Sequence, residues 1–406
     1  MRKLLLCALL AGAIAGSARA EFSIPGFELV QTAPLETTLA SSDLRDPATV
    51  WCELFDSARS QIVLGEYYVV GHAGSSFELV MAHLTAAGKR GVHIRFLLDQ
   101  SGVRISDAAT IEQLKAIPNL ELRIINVNGM TGNGILHAKY MVIDGATAYV
   151  GSQNFDWRSL SHIHETGLRI SDAKIAGQVQ AVFDQDWQAQ ALIAQGLKVP
   201  PLNQSTVSAN YAQEAFLLAS PNAYNPAGVG DSESGLPALL AAAQSEVRVQ
   251  LLDYAPLSYG PNGTRPYYAV IDDALRSAAA RGVKIKLMVS NWNLEAPELV
   301  YLKSLAVLPN VEIRVVTLPT ASTGFIPFAR VIHSKTMSID GKVAWVGTSN
   351  WTGGYMDKSR NLEVVMRSEK MAQRIAALHE QTWDSPYAQP LDINKNYPKP
   401  AKAKPE

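Results

Sequence analysis

The sequence predicts an α/β protein made of two duplicated units. Each is expected to be a mixed, largely parallel sheet flanked by helices, and the two to pack with pseudo-twofold symmetry. Three observations predict it. Segments of the first half recur in the second, in the same order and at a near-constant offset. Within each half, β-branched stretches alternate with helical ones, as in a sheet covered on both faces. Each half also carries two apolar runs joined by Asp-Gly, a hairpin signal.

The elements follow in order. "MRK", then "LLLCALLAGAIAG", then "SARA" make a positive start, an apolar stretch and a small-x-small cleavage site. Residues 1–20 are therefore expected to be a signal peptide cut after Ala20, which places the mature chain in a periplasm or outside the cell. The first unit is expected over 21–196. It holds a strand in "QIVLGEYYVV", a helix near Ser76–Lys89, a strand in "VHIRFLLD", a helix near Ala108–Ala116, a strand in "LELRIINV" and the hairpin. Residues 197–214, rich in Pro, Asn, Gln and Ser, read as a linker. The second unit is expected over 215–390. The Pro- and Lys-rich residues 391–406 read as a disordered tail.

The duplication rests on several anchors. "LTAAGKRGVHIRFLLD" (Leu84–Asp99) matches "LRSAAARGVKIKLMVS" (Leu275–Ser290). Gly91 and Gly282, suited to helix C-termini, are 191 residues apart, and so are Pro118 and Pro309. His137 and His333 are 196 apart, which implies a small insertion before the second motif.

Composition bounds the function. With 47% apolar and 18% charged residues the chain is globular, not disordered. A formal net charge of −1 advertises neither a strongly basic nucleic-acid surface nor an acidic tail. After signal removal one cysteine remains, Cys52, so no internal disulfide is expected and packing must hold the fold. No feature calls for an obligatory protein partner.

Two stretches carry the chemistry, "ILHAKYMVIDGATAYVGSQNF" (Ile135–Phe155) and "VIHSKTMSIDGKVAWVGTSNW" (Val331–Trp351). In a half-buried strand, residues two apart share a face, so His137 and Lys139 project together, as do His333 and Lys335. Leu136, Ala138, Tyr140 and Val142 then face the core. Imidazole is available at neutral pH as a nucleophile and, when protonated, as an acid. One histidine can attack an electrophile while the other protonates the leaving group. Nearby ammoniums suit an anionic centre. A phosphodiester fits, because its charge repels hydroxide but not neutral imidazole. A single H-x-K would be an ordinary polar strand. Both copies, however, continue with four residues, Asp-Gly, five residues and Gly-[Ser/Thr]-x-Asn.

H-x-K(x4)D(x6)G(S/T)xN, present twice, resembles the phospholipase D superfamily, in which two half-sites meet to form one active site. "GSQNFDWRSLSHIHETG" (Gly151–Gly167) and "IDDALRSAAARGVKIKLMVSNW" (Ile271–Trp292) are most similar to one branch. It contains the animal lysosomal phospholipase-D-like 5′-exonucleases and related poxvirus envelope proteins. The resemblance implies that His137 is a nucleophile forming a phosphohistidine and His333 the general acid and later base. It implies that Lys139, Lys335, Asn154 and Asn350 hold phosphoryl oxygens, with Ser152 and Thr348 as helpers. It implies that Glu165, 28 residues after His137, and Glu363, 30 after His333, each fix the tautomer of the histidine that precedes it. Asp144 and Asp340 open Asp-Gly turns and are expected to brace the motif structurally. No cofactor is implied, and His162 and His164 lack a third ligand at metal spacing. The expected substrate is a phosphodiester, single-stranded nucleic acid cut from its 5′ end or, alternatively, a phospholipid. A non-catalytic phosphate binder is the further alternative.

Overall fold

The computed structural model describes residues 21–202 and 212–402. The expected signal peptide and the middle of the expected linker lie outside the described residues. In the first unit an eight-stranded sheet places Gln61–Glu66 at its centre. His93–Asp99 and then Leu120–Ile125 run parallel to it on one side. On the other side the hairpin Tyr140–Ile143 and Thr147–Gly151 runs antiparallel, followed by Glu165–Ile170 and Phe27–Thr32. The second unit repeats this order around Glu246–Gln250 and adds an edge strand, Ala388–Pro390, making nine. Both sheets are mixed. Parallel pairing is centred on the helix crossovers, because only those connections are long enough to return the chain in the same direction.

Local chemistry sets the elements. Asp46, Asp107 and Asp172 cap helices by accepting the amides of Thr49, Thr110 and Ile175. Gly91 and Gly282 end their helices at φ +91° and +93°, a region that favours glycine. Both hairpin turns are left-handed at both central residues: Asp144 and Gly145 at φ 51° and 68°, Asp340 and Gly341 at 54° and 62°.

The two aspartates do more than turn the chain. Asp144 accepts the amides of Arg59, Ser60 and Gln61 at 2.8–2.9 Å and the Ser60 hydroxyl at 2.7 Å. Asp340 repeats this with Gln244, Ser245 and Glu246. Partial burial opposes ionisation of Asp144, but these bonds outweigh it and hold the carboxyl down at about 2. Each aspartate thus locks its hairpin to the start of the central strand.

Three large apolar clusters organise the core. One belongs to each unit, and the largest joins them. It brings Leu136, Ala138, Tyr140, Val150 and Phe183 together with Ala344, Val346, Leu362, Val364 and Leu378. Each such side chain contributes about 1.5–3 kcal/mol on burial, so the two units share a substantial part of their stability.

The C-terminal tail differs from expectation. Its described part is laid along the second unit. The Leu391 amide donates to the Ile313 carbonyl at 2.9 Å, Lys399 and Lys402 pair with Glu295, and the Phe328 amide donates to the Lys402 carbonyl. The lysines read from composition as solvating find a carboxylate, and the preceding edge strand delivers the chain to it.

Candidate active site

The motif histidines and lysines precede the hairpin strands instead of lying within them. They sit in extended segments that are buried on both sides, a correction to the half-buried strand expected. The reason is that each segment pairs with the opposite unit. The amides of His137 and Ala138 donate to the Arg360 carbonyl at 3.0 and 2.9 Å. Those of His333 and Ser334 donate to the His164 carbonyl at 2.8 and 3.0 Å. Side-chain alternation survives, since Leu136 and Ala138 pack into the shared core.

His137 and His333 face one cavity of about 550 Å³. Asn154 and Asn350 line it too, and each amide oxygen is buried without a partner. Tyr67, Tyr68, Tyr355, Trp292 and Phe328 form much of the remaining wall. Tyr254 is buried away from the cavity and donates to Asp272.

Lys139 and Lys335 lie beside the cavity and are almost fully buried. Each ammonium donates to the carbonyl of its own motif histidine, Lys335 at 2.6 Å. Burial lowers Lys139 to about 7 against the opposing pull of Glu66, Glu165 and Asp99. Burial lowers Lys335 well below the usual range as well. Burial, then the two lysines, also pushes His137 well below the ordinary histidine value. The imidazole is thereby kept neutral, as a nucleophile requires.

The glutamates depart from expectation. Glu165 does not serve the histidine of its own unit. Its Oε2 meets His333 Nδ1, across the interface, at 2.8 Å. Burial pushes Glu165 up to about 8 and drives His333 down, so at neutral pH the pair shares one proton. Glu363 touches neither histidine; it accepts from the hydroxyls of Ser232 and Ser349. His137 Nδ1 instead meets the Asn361 amide oxygen at 3.1 Å. Asn361 and Glu363 are two apart on one strand, about 7 Å along it, so Glu363 is one pleat too far from the motif. The signal was in the numbering. The 196-residue offset of the histidines pairs Glu165 with Asn361 and leaves Glu363 opposite Gly167.

Ser152 and Thr348 are likewise behind the cavity rather than in it. Both are fully buried. Ser152 donates to the Thr166 carbonyl, and Thr348 donates to the Asn361 amide oxygen at 3.0 Å. They brace the residues that orient the histidines and do not reach substrate.

Two further residues escaped sequence reasoning. Glu66 ends the central strand of the first unit, and burial raises it well above the carboxylate range, opposed by Lys139. Asp253 faces the cavity, and burial raises it to about 6. Neither lies in the motif, so spacing does not mark them. His164 is buried between the amides of Gln31 and Gln250, and no cluster of metal-ligating side chains exists among the described residues.

Glu363 carries a stability prediction. Burial raises its pKa to about 7, above the unfolded value of 4.5. Its contribution is therefore complete below pH 4.5 and lost as pH rises through 7. Glu363→Gln keeps the shape of the protonated acid. It is expected to flatten the fall in Tm expected of the wild type between pH 4.5 and 7, measured by thermal unfolding. An unchanged pH dependence would refute the assignment.

Comparison with known proteins bears on this geometry. The family model described as "Cardiolipin synthase, PLD-like domain" matches residues 51–187 and 264–383, the two units with their motifs. The chain belongs to the phospholipase-D-like family. Phospholipase D Z of Dictyostelium discoideum is 29% identical over 397 residues, covering 90% of each chain. The human 5′-3′ exonuclease PLD4 is 29% identical over 400 residues, covering 90% of this chain and 78% of the relative. Among solved structures, phosphatidylserine synthase of Haemophilus influenzae superimposes with a TM-score of 0.58 at 12% identity, covering 85% of each chain. It shares the phospholipase-D-like fold.

Proposed function

We propose that this chain is an exported phosphodiester hydrolase that works through a covalent phosphohistidine. The observation that carries the reading is the meeting of two imidazoles, one from each unit, on a single cavity. His137 Nε2 attacks phosphorus, and the P–O bond to the leaving group breaks as that oxygen takes the proton from His333 Nε2. The Glu165 proton can move to His333 Nδ1 in the same step, so the acid never becomes an isolated buried cation. Water then attacks the phosphohistidine while His333 takes its proton, releasing a phosphomonoester and free His137. Asn154 and Asn350, on the cavity wall, donate to the non-bridging oxygens in this reading. The charge of a bound phosphodiester favours the protonated form of the buried lysines, which then supply positive potential from beneath. The partnerless amide oxygens beside the cavity support a site built to turn its donors toward a ligand.

The substrate this wall supports best is the end of a single nucleic-acid strand, whose bases can stack on Tyr67, Tyr68, Tyr355 and Trp292. Relatives named 5′-3′ exonucleases support the same choice. Arg158 is the one guanidinium of the lining, and Asp156 holds it at 2.9 Å. Few phosphates are then neutralised, and binding of an oligonucleotide should depend weakly on salt. A log–log slope shallower than about −2 is expected, and a slope near −5 would contradict a site of this kind. A phospholipid is the second reading, favoured by the exposed apolar rim residues Ile105 and Phe328 and by relatives named phospholipase D.

The deciding experiment offers single-stranded oligonucleotide, phosphatidylcholine vesicles and a 4-nitrophenyl phosphodiester, each with chelator present. Release of nucleotides or choline that survives chelation is expected from one of the first two. No release from any diester at any pH would leave a phosphate-binding protein instead.

A further inference from the structure

The two halves differ at one position where their chemistry should match. Glu165 and Asn361 open equivalent strands, and each meets Nδ1 of the opposite unit's motif histidine. The Asn361 amide is not free to turn. Its Nδ2 donates to the Tyr355 carbonyl at 2.9 Å, and its Oδ1 accepts from the Thr348 hydroxyl at 3.0 Å. The same Oδ1 therefore faces His137 Nδ1. A carbonyl oxygen only accepts, so His137 must carry its proton on Nδ1 and its lone pair on Nε2.

An amide also lacks the charge that would stabilise a second proton on the ring. The other groups around His137 offer none. Tyr355 packs edge-on at a centroid distance of 4.5 Å, and Tyr67 lies tilted at 5.8 Å. Lys139, Lys335 and His333 all oppose added positive charge. His333, by contrast, has a carboxyl group with which to share a proton.

We propose that Asn361 is the positioning residue that keeps His137 a neutral imidazole with Nε2 free, so that the amide-for-carboxyl exchange assigns attack to one unit and proton transfer to the other. The second part rests on the phosphohistidine reading above; the first does not.

The test uses the full chain with nitrogen-15-labelled histidine. Long-range proton–nitrogen spectra should show His137 neutral and protonated on Nδ1 from pH 5 to 8. Asn361→Asp restores a carboxylate and should move His137's titration up by at least one pH unit. The acid limb of kcat/KM for a 4-nitrophenyl phosphodiester should move with it. Asn361→Ala should lower kcat at least tenfold with little change in KM. Thermal unfolding of both variants checks that they fold, and if the alanine variant does not, the aspartate variant carries the test.

A wild-type His137 protonated on Nε2, or a titration unmoved in Asn361→Asp, overturns the proposal. If the spectra behave as expected but the wild type cleaves no diester, the positioning role stands and the reaction assigned to the site fails.

Discussion

His137→Ala is expected to abolish turnover of every diester, by at least 10⁴-fold, because no other group can form the covalent bond. His333→Ala should behave differently. With an alkoxide leaving group the first step loses its acid and slows by about 10²–10⁴-fold. With 4-nitrophenolate, which needs no proton, the first step should survive as a burst of one equivalent. The second step then stalls for want of a base. Mapping under alkaline conditions, in which a phosphorus–nitrogen bond survives and acid releases it, should find the trapped phosphoryl group on His137. Phosphate on His333 in the reciprocal variant, or wild-type turnover in either, would refute the assignment of roles.

The second large effect is on stability. Arg360 and Asp186 form an ion pair across the two units, each only 1% exposed, with both carboxylate oxygens accepting at 2.8 Å. Arg360 also donates to the carbonyls of Ser220 and Tyr224 and to Asn225. Asp186→Ala would leave a guanidinium buried without its counter-charge, at a cost of about 3–5 kcal/mol. Activity should fall as well, since the Arg360 carbonyl holds the backbone of His137. Thermal unfolding and specific activity read the two effects. An unaltered Tm would mean that the pair carries no weight.

Much of this was readable in advance, for physical reasons. The repeat anchors are residues at constrained backbone positions, such as Gly91, Gly282, Asp144 and Asp340, and such positions write themselves plainly into a sequence. The H-x-K pairs sit where alternation separates polar from core side chains. Spacing along a chain cannot tell a contact within a unit from one across an interface, so it ties Glu165 to His137 where the structure pairs it with His333. Asn361 carries no carboxylate, and Glu363, two residues on, offers one at nearly the spacing of Glu165. Glu66 is the last residue of its strand, and Asp253 lies just beyond the end of Glu246–Gln250. Only these ends reach the site, and no periodicity distinguishes them. Composition reports the solvation of a Pro- and Lys-rich tail and not Glu295, the carboxylate that Lys399 and Lys402 meet.

Each motif histidine takes its Nδ1 partner and its backbone anchor from the opposite half. A drift of one half against the other would turn both rings away from phosphorus before any bond in the core was lost. Docking and competence are therefore a single event, and a severed half, however well folded, would own a histidine with nothing to aim it.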